Sequence, residues 1–584
     1  MPHLALPVLT GWLRRHGHQV IQRDLNVEIY DEILTRRYLR RAIEQIRQRF
    51  GPGASNRPLP FGRPQPDQVN WALQQGPQLA ERIEAAKAVL RSPDFYRVET
   101  CEPSFLTVVA VLELASLAHY PSKLELTRFI GPGRADSSRD LLRAARDPQT
   151  NPFYDVFRQG VLRDLERERP GLVGISIPTE GQFLAGLTLA ALIRDAGLKC
   201  HITVGGPHIT MLREQLPKVP ALFALFDSAV LFDGEQPLLS LIAALEGQGD
   251  LSGVPNLVYR ASGTPRDIRT NSPAGLAEIH AAQQDPSPKS GREAQSPDFD
   301  GLPLERYLSP EPVLPVATSH GCYHGKCGFC NVGYGSPIHY FPYPVEQVAA
   351  QVARLREKYG CRHIFFVDEA ITPRTLRLLP AALAEAGGEI NWTGAVRFEN
   401  ALTDPILAEL ARGGCRMLLF GLESASEPIM ECMDKGTQRT EMGRILETGG
   451  AAGIWNHTFF FFGFPGETIQ DAQETVNFIY AHQEVIHSGS PGAFLLERYA
   501  PVYREPAKYG IRQIEADPAS DLAIYFEYKL ERGLDEGMAN RLVDGFMEQL
   551  SEKSNGMYYM NDIYRFLFAS ELHRRGQPLP RWIE

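Results

Sequence analysis

The chain has 584 residues, 43% hydrophobic and 22% charged, with a formal net charge of −10. That is the composition of an ordinary globular protein of about three to four domains, and the charge excludes a broad nucleic-acid footprint. Met1-Pro2-His3-Leu4 does not open a basic, then apolar, leader, and the longest apolar run, Phe105 to Ala118, is broken by Glu113, so neither a secretory signal nor a membrane span is expected. Three clustered cysteines and five scattered ones are no disulfide framework, and a reducing cytoplasm fits them best.

In chain order, Leu4, Leu6, Val8, Leu9, Trp12 and Leu13 form one apolar helical face that ends at Gly17, and His18 to Leu25 alternates like a strand. A doubly wound α/β domain opens with a strand before its first helix, and that strand is missing here. Residues 28–165 read as a helical insertion, with a Pro/Gly-rich loop from Gly51 to Asp67. The α/β alternation resumes over 166–262. Leu172 to Pro178, His201 to Val204 and Ser228 to Phe232 are predicted strands, and Gln182 to Asp195 is a helix. Ligands in open parallel sheets sit beyond the carboxyl ends of the strands. That places Ser176, Thr179, Gly205, Gly206, Pro207, His208, Gly234 and Glu235 where a large ligand can approach the backbone. The first domain is thus 1–262, and 263–300, rich in Pro, Ser, Gly and charge, is the expected linker.

Residues 301–500 repeat a β-then-α unit six times. The apolar run Val313 to Ala317 leads into Ser319-His320-Gly321-Cys322-Tyr323-His324-Gly325-Lys326-Cys327-Gly328-Phe329-Cys330. Thiolates suit zinc or an iron–sulfur cluster. A structural zinc takes four protein ligands, which here means His320 or His324 as the fourth. Three thiolates alone leave one position open for chemistry. Further strands are His363 to Val367, Ile390 to Val396, Arg416 to Leu422, His457 to Phe462 and about Ala493 to Tyr499. They end in Asp368-Glu369, Arg397, Glu423 and Gly463-Phe464-Pro465-Gly466-Glu467. Polar and glycine-rich features at the carboxyl ends of strands mark the active face of a parallel barrel, here an open six-stranded one. The tail, 501–584, reads as a helical C-terminal domain with helices over Asp521 to Arg532 and Asp535 to Leu550.

With these motifs in place, the chain resembles the radical S-adenosylmethionine (SAM) enzymes that carry an N-terminal cobalamin-binding domain. Cys322, Cys327 and Cys330 resemble the three cluster ligands, although the family's usual spacing is CxxxCxxC and this chain has CxxxxCxxC. Val367-Asp368-Glu369 resembles the acidic end of the second barrel strand that contacts the SAM amino group. Arg397 matches an arginine at the end of the third strand. Phe420-Gly421-Leu422-Glu423-Ser424 resembles GxES, Met433-Asp434-Lys435-Gly436 resembles MxKG, and Gly463 to Thr468 matches the GxPGET turn near the adenosine. The segments around Ser176 and Thr179, Gly205 to His208, and Gly234-Glu235 resemble those that hold cobalamin. The DxHxxG motif of other cobalamin proteins is absent, so the resemblance makes His208 a cobalamin neighbour and not a cobalt ligand.

The resemblance implies a Rossmann-like cobalamin domain, a partial (β/α)6 barrel, and three cofactors: a [4Fe–4S] cluster, SAM and cobalamin. It implies reductive cleavage of SAM, hydrogen abstraction from an unactivated carbon, and methyl transfer from methylcobalamin. The cysteines would hold the cluster, and Asp368, Glu369, Arg397 and Glu423 would position SAM, with Gly463, Pro465 and Gly466 flanking the adenine. The partners are a small-molecule or peptide substrate and an electron donor of flavodoxin or ferredoxin type. Two rivals stand beside this reading: a radical cyclase, rearrangement or oxidation enzyme without methyl transfer, and a non-catalytic zinc- or cluster-bearing interaction protein. A methylthiotransferase needs further N-terminal cysteine ligands, and only Cys101 and Cys200 precede the triplet.

Overall fold

The computed structural model describes residues 1–53, 61–261, 266–272, 296–331, 340–551 and 560–583. The N-terminal sheet runs in sequence order: β1 (Leu172–Ser176), β2 (His201–Gly205), β3 (Ser228–Val230), β4 (Leu257–Arg260) and β5 (Ile268–Thr270). The first three strands are parallel, β4 pairs antiparallel with β3, and β5 pairs antiparallel with β4. Both faces are covered. Phe183 and Leu187 of the helix Glu180–Asp195 share a core with Ile202, Val204 and Ala229, while Leu241 of the helix Glu235–Leu245 packs with Val230 and Leu257. β5 carries the first domain past residue 262, into the stretch expected to be linker; most of that linker, 273–295, lies outside the described residues.

The expected strand over His18 to Leu25 does not form. The helix before it is Ala5–Arg15. Gln22 is buried and turns its side chain onto the carbonyls of Asp298 (2.7 Å) and Asp300 (2.9 Å), and Asp24 caps the helix Leu25–Ile33 by accepting from the Asn26 and Val27 amides. The alternation is therefore used for side-chain anchoring, not for a ladder. The insertion is helical as expected, built on Arg36–Phe50, Pro66–Leu90 and Val98–Ala118, plus a short hairpin pairing Lys123–Leu124 with Phe129–Ile130. Of the expected Gly51 to Asp67 loop, 54–60 lie outside the described residues, and Pro66 sits at the start of the next helix, where its missing N–H costs nothing. The Val98–Ala118 helix is 21 residues, long and apolar enough to cross a bilayer, and so exceeds the expected Phe105 to Ala118 run. Cys101, Val108, Val111, Leu112, Leu114 and Ala115 bury it in the insertion core instead.

The barrel sheet is fully parallel and ordered as the chain runs: β6 (Val313–Val316), β7 (His363–Phe366), β8 (Asn391–Val396), β9 (Cys415–Glu423), β10 (Trp455–Phe462) and β11 (Ser488–Ala493). The sixth strand thus lies before the expected Ala493 to Tyr499. Alternation sets its two faces. Leu418, Phe420 and Leu422 of β9 face the outer helices, whereas Met417 and Leu419 join a core with Phe566 and Phe568. Those two phenylalanines belong to the C-terminal helix Asp562–Arg574, which packs against β8 and β9. The tail also departs from its helical reading. The Glu536–Ser551 helix is present, but the stretch expected to be helical from Asp521 contains Tyr525–Phe526, paired with Leu496–Glu497, and Tyr528–Leu530, paired with Ile511–Ile514. Phe526 packs on Tyr503 and Tyr528 on Phe494, so the aromatic residues obey a period of two.

Candidate functional site

The thiol loop follows β6. Ser319–Gly321 pairs antiparallel with Tyr340–Pro342, and Gly321 and Gly325 take positive φ (72° and 63°), which only glycine adopts without strain. Cys327 is buried, and Cys322 and Cys330 are half-buried. The Gly328 amide donates to the Met433 carbonyl (2.7 Å), and the Gly328 carbonyl accepts from the Val502 amide (3.0 Å). A Cβ on Gly328 would stand 3.1 Å from the Tyr509 ring, so this glycine lets the loop lie flat against the tail.

The segment Met433–Gly436 brackets the loop from the other side. His324 Nε2 meets the Asp434 carbonyl (2.8 Å), and the Lys435 ammonium lies 5.6 Å from the Phe329 ring centroid. Lys435 is buried and pairs with Glu423 (2.9 Å). Glu423 has φ of +60° at a bulge in β9, and a Cβ on Gly421 would collide with the Glu423 carboxylate (2.5 Å), which accounts for the Gly in this motif. Arg397, also buried, donates to the Lys435 carbonyl, to Glu399 (3.3 Å) and, more loosely, to Cys327 Sγ (3.6 Å). Tyr323 donates to the same Glu399 (2.6 Å). The Arg397 and Glu423 motifs are thus one network around the second cysteine.

Asp368 and Glu369 divide the acidic motif between them. Asp368 is buried and accepts from the Thr318 amide (2.9 Å), the Thr318 hydroxyl (2.8 Å) and the Ser319 hydroxyl (2.7 Å). It clamps the neck of the thiol loop, with its lone pairs committed to protein donors. Glu369 follows at the same strand end and is exposed. Desolvation and the Asp368 charge raise its pKa, and His320 lowers it.

The Gly463–Glu467 turn is held by its own carboxylate. Glu467 is fully buried and accepts from the Gly463 amide through one oxygen, while the other has no partner. Burial pushes its pKa up to about 7. Pro465 and Gly466 (φ 91°) form the tip, against which Gly533 packs so closely that a Cβ there would stand 3.0 Å from the Gly466 backbone.

The N-terminal candidates gather at the carboxyl edge of the first sheet. Ser176 ends β1, and Thr179, at the N-terminus of Glu180–Asp195, points its hydroxyl at Gln182 (3.3 Å). Gly205 ends β2. Gly206 has φ of 107°, and a Cβ on it would lie 2.8 Å from the Ile177 carbonyl, so two strand ends approach through bare backbone. Pro207 opens the short helix Pro207–Met211, and His208 on it is buried, edge-on to Phe183 (5.0 Å), with Nε2 unpartnered and its pKa lowered to about 4 by burial. Gly234 abuts Leu9 of the first helix, and Glu235 starts the next one.

Three contacts join this edge to the barrel mouth. His320 Nδ1 lies 3.6 Å from Asp233, Asn331 Nδ2 is 2.7 Å from Met211 Sδ, and the Arg213 guanidinium stacks on Tyr499 (3.5 Å to the centroid). Asp233 and the clamping role of Asp368 were missed by motif reasoning. Asp233 precedes Gly234-Glu235 directly, so its signal was in view.

The donor set fits an iron–sulfur cluster better than the zinc alternative. His320 is turned to Asp233 and His324 to a backbone carbonyl, so neither stands as a fourth ligand. Among the described residues no three His, Cys, Asp or Glu converge on a single-ion site. Burial raises the Cys327 and Cys330 pKa values, Cys330 further through its neighbouring thiols. A sequence model of the radical SAM superfamily matches residues 316–479, the span from β6 through β10. This region belongs to the radical SAM superfamily.

The radical SAM domain makes the protein an enzyme and brings SAM and a [4Fe–4S] cluster with it. An uncharacterized methyltransferase of Pyrococcus horikoshii is 26% identical over 328 residues, 56% of this chain and 67% of that protein. The fold matches OxsB, solved as a cobalamin-dependent SAM radical enzyme with aqua-cobalamin and SAM bound, at a TM-score of 0.51 and 17% identity, over 72% of this chain and 64% of that one. It also matches the radical SAM methyltransferase TsrM from Kitasatospora setae, solved with cobalamin and a [4Fe–4S] cluster, at a TM-score of 0.51 and 16% identity, over 68% of this chain and 81% of that one. The chain therefore spans less than two thirds of OxsB's length.

Proposed function

We propose that this radical SAM enzyme is cobalamin-dependent and transfers a methyl group to an unactivated carbon. The observation that carries the reading is the apposition of the glycine-lined carboxyl edge of the N-terminal sheet with the thiol loop, through His320 to Asp233 and Asn331 to Met211. At Gly205 and Gly206 a Cβ would meet the Val230 and Ile177 carbonyls at 3.2 and 2.8 Å, so bare backbone lets the strand ends close up at this edge. The likeness of the fold to OxsB and TsrM supports the same reading.

When bound, the cluster supplies the electron that cleaves SAM, and cobalamin supplies the methyl group. The protein's own work is to hold and orient. Cys322, Cys327 and Cys330 would ligate the cluster, Arg397 would add positive charge beside one thiolate, and Glu369 would take the amino end of SAM. Asp368 would fix the loop, and the Gly463–Glu467 turn would flank the adenine. Ser176, Thr179, Pro207, His208, Gly234 and Glu235 would border the corrin. We place the protein in the cytoplasm, with a small-molecule or peptide substrate and a flavodoxin- or ferredoxin-type reductant.

The test is anaerobic reconstitution with iron, sulfide, hydroxocobalamin and SAM bearing a deuterated methyl group. Tight retention of the corrin spectrum on gel filtration and a product heavier by the labelled methyl are expected. Free elution of the corrin overturns the N-terminal part. A product formed without label favours the second reading, radical chemistry without methyl transfer, which draws support from OxsB, described as a radical enzyme and not as a methyltransferase.

A further inference from the structure

The helical insertion walls a cavity of about 350 Å³, lined by none of the residues given to the cluster, SAM or the corrin. Small-molecule sites run from about 300 to about 1,000 Å³. The apolar lining includes Ile29, Ala42, Phe157 and Val161, all buried. Beside them the buried Tyr38 hydroxyl meets His119 Nε2 (3.1 Å). Burial lowers the His119 pKa to about 4, so this pair is polar and carries no charge. One wall is the helical run from Phe153 to Glu168, which widens for a single turn, Phe157–Val161, into a π-bulge. Phe157, Gln159, Gly160 and Val161 of that turn all line the cavity. Such bulges are rare and gather at functional sites.

The charged lining is mostly arginine. Arg23, Arg37, Arg41, Arg163 and Arg306 share it with three carboxylates, Glu28, Glu32 and Asp155. Those carboxylates are already committed. Glu28 takes Arg23 (3.0 Å), Glu32 takes Arg37 (2.7 Å) and Arg41 (3.4 Å), and Asp155 takes Arg158 (2.8 Å), which is not part of the lining. Arg163 belongs to none of these pairs, and Arg306 pairs loosely with Glu305 (3.9 Å). Both are exposed, as are Arg37 and Arg41, so positive charge stands at the opening and apolar surface beneath it. Arg306 ends the short helix Leu304–Arg306, on the stretch that leads into β6. The cavity thus adjoins both the insertion and the chain entering the barrel.

We propose that this cavity binds a small organic anion, an apolar body carrying one carboxylate or phosphate head. The guanidinium fork suits either head, because it offers paired N–H donors to two oxygens. The buried apolar lining takes the body, which gains by leaving water. A cationic ligand would meet the charge of Arg163 and Arg306 without a free carboxylate to receive it. The site stands apart from the cluster and the corrin, and its occupancy does not depend on the radical chemistry.

The experiment is equilibrium dialysis of radiolabelled octanoate against the anaerobically reconstituted full chain, with octyl phosphate and octylamine as competitors and iron and corrin content measured on the same samples. Saturable binding of one octanoate per chain is expected, displaced by octyl phosphate and not by octylamine, and the tighter of the two anions identifies the head group. Arg163→Gln is expected to weaken octanoate binding about tenfold, the worth of one charge-assisted hydrogen bond, with iron and corrin content unchanged. Arg167→Gln, on the same helix Leu162–Glu168 but outside the lining, should stay within about twofold of wild type. No saturable binding of either anion overturns the proposal, as does displacement by octylamine as readily as by octyl phosphate. Unchanged affinity in Arg163→Gln, or an equal loss in both variants, overturns it too. Should Arg163→Gln not fold, the anion-against-amine comparison in wild type decides alone. Binding seen only when hydroxocobalamin is left out of the reconstitution places the anion at the corrin edge and overturns the site.

Discussion

The thiol loop and the edge of the N-terminal sheet face one another but are made of different material. On the barrel side nearly every candidate is a charged or sulfur-bearing side chain tied into a network: Asp368 to Thr318 and Ser319, Arg397 to Glu399 and Cys327, Lys435 to Glu423. On the other side the candidates are mostly glycines and strand ends, with one buried histidine, and the glycines let neighbouring elements pack through bare backbone. A small, highly charged group needs charged partners at fixed distances, whereas a large planar ligand needs room and a few amides. The barrel side should therefore break under loss of charge, and the sheet edge under addition of bulk.

The largest effect is expected from replacing Cys322, Cys327 and Cys330 together by alanine, which should abolish iron binding, colour and SAM cleavage. Retention of cleavage by that variant would contradict the ligand assignment outright. Next, Lys435→Met leaves Glu423 buried without its cation and should cost about 3–5 kcal/mol in urea unfolding, while adding Glu423→Gln should recover much of the loss. If the double variant is no more stable than the single one, the pair is not the reason. Gly206→Ala places a Cβ 2.8 Å from the Ile177 carbonyl at φ of 107°, at a cost of about 1–3 kcal/mol, and should weaken corrin retention while iron content stays at the wild-type level. Loss of iron in that variant would show that the two sides are not separable.

A graded effect comes from pH. Burial lowers His363 and His457, both near the barrel's inner helix, from 6.5 to about 4. The unfolded chain then takes up protons first as pH falls, so stability is full above about 6.5 and declines between there and 4. Each histidine contributes a slope of about 1.4 kcal/mol per pH unit. His457→Gln should flatten that slope in acid unfolding, and an unchanged slope would show that His457 does not titrate with folding.

The barrel was legible because five of its six strands lead into chemically marked residues, and a period of two followed by a period of 3.6 repeats; the sixth, Ser488–Ala493, has no such mark and was placed too late. The tail and the segment from His18 were not. In both, local alternation or charge was outweighed by contacts distant in the chain: Gln22 with 298–300, and Tyr528 with Phe494. The acidic motif was legible as a motif but not in its division of labour, because Asp368 and Glu369 differ only in which side of the strand end they leave from.

The sequence by itself determined the ligand types, their order and the repeating β/α units, since cysteine spacing, glycine positions and apolar periodicity are local properties of the chain. Only the tertiary structure decided which side chains meet: the parallel strands of the barrel end side by side, so Arg397 of one strand end reaches Cys327 of the thiol loop (3.6 Å) and Asp368 of another clamps Thr318 (2.9 Å).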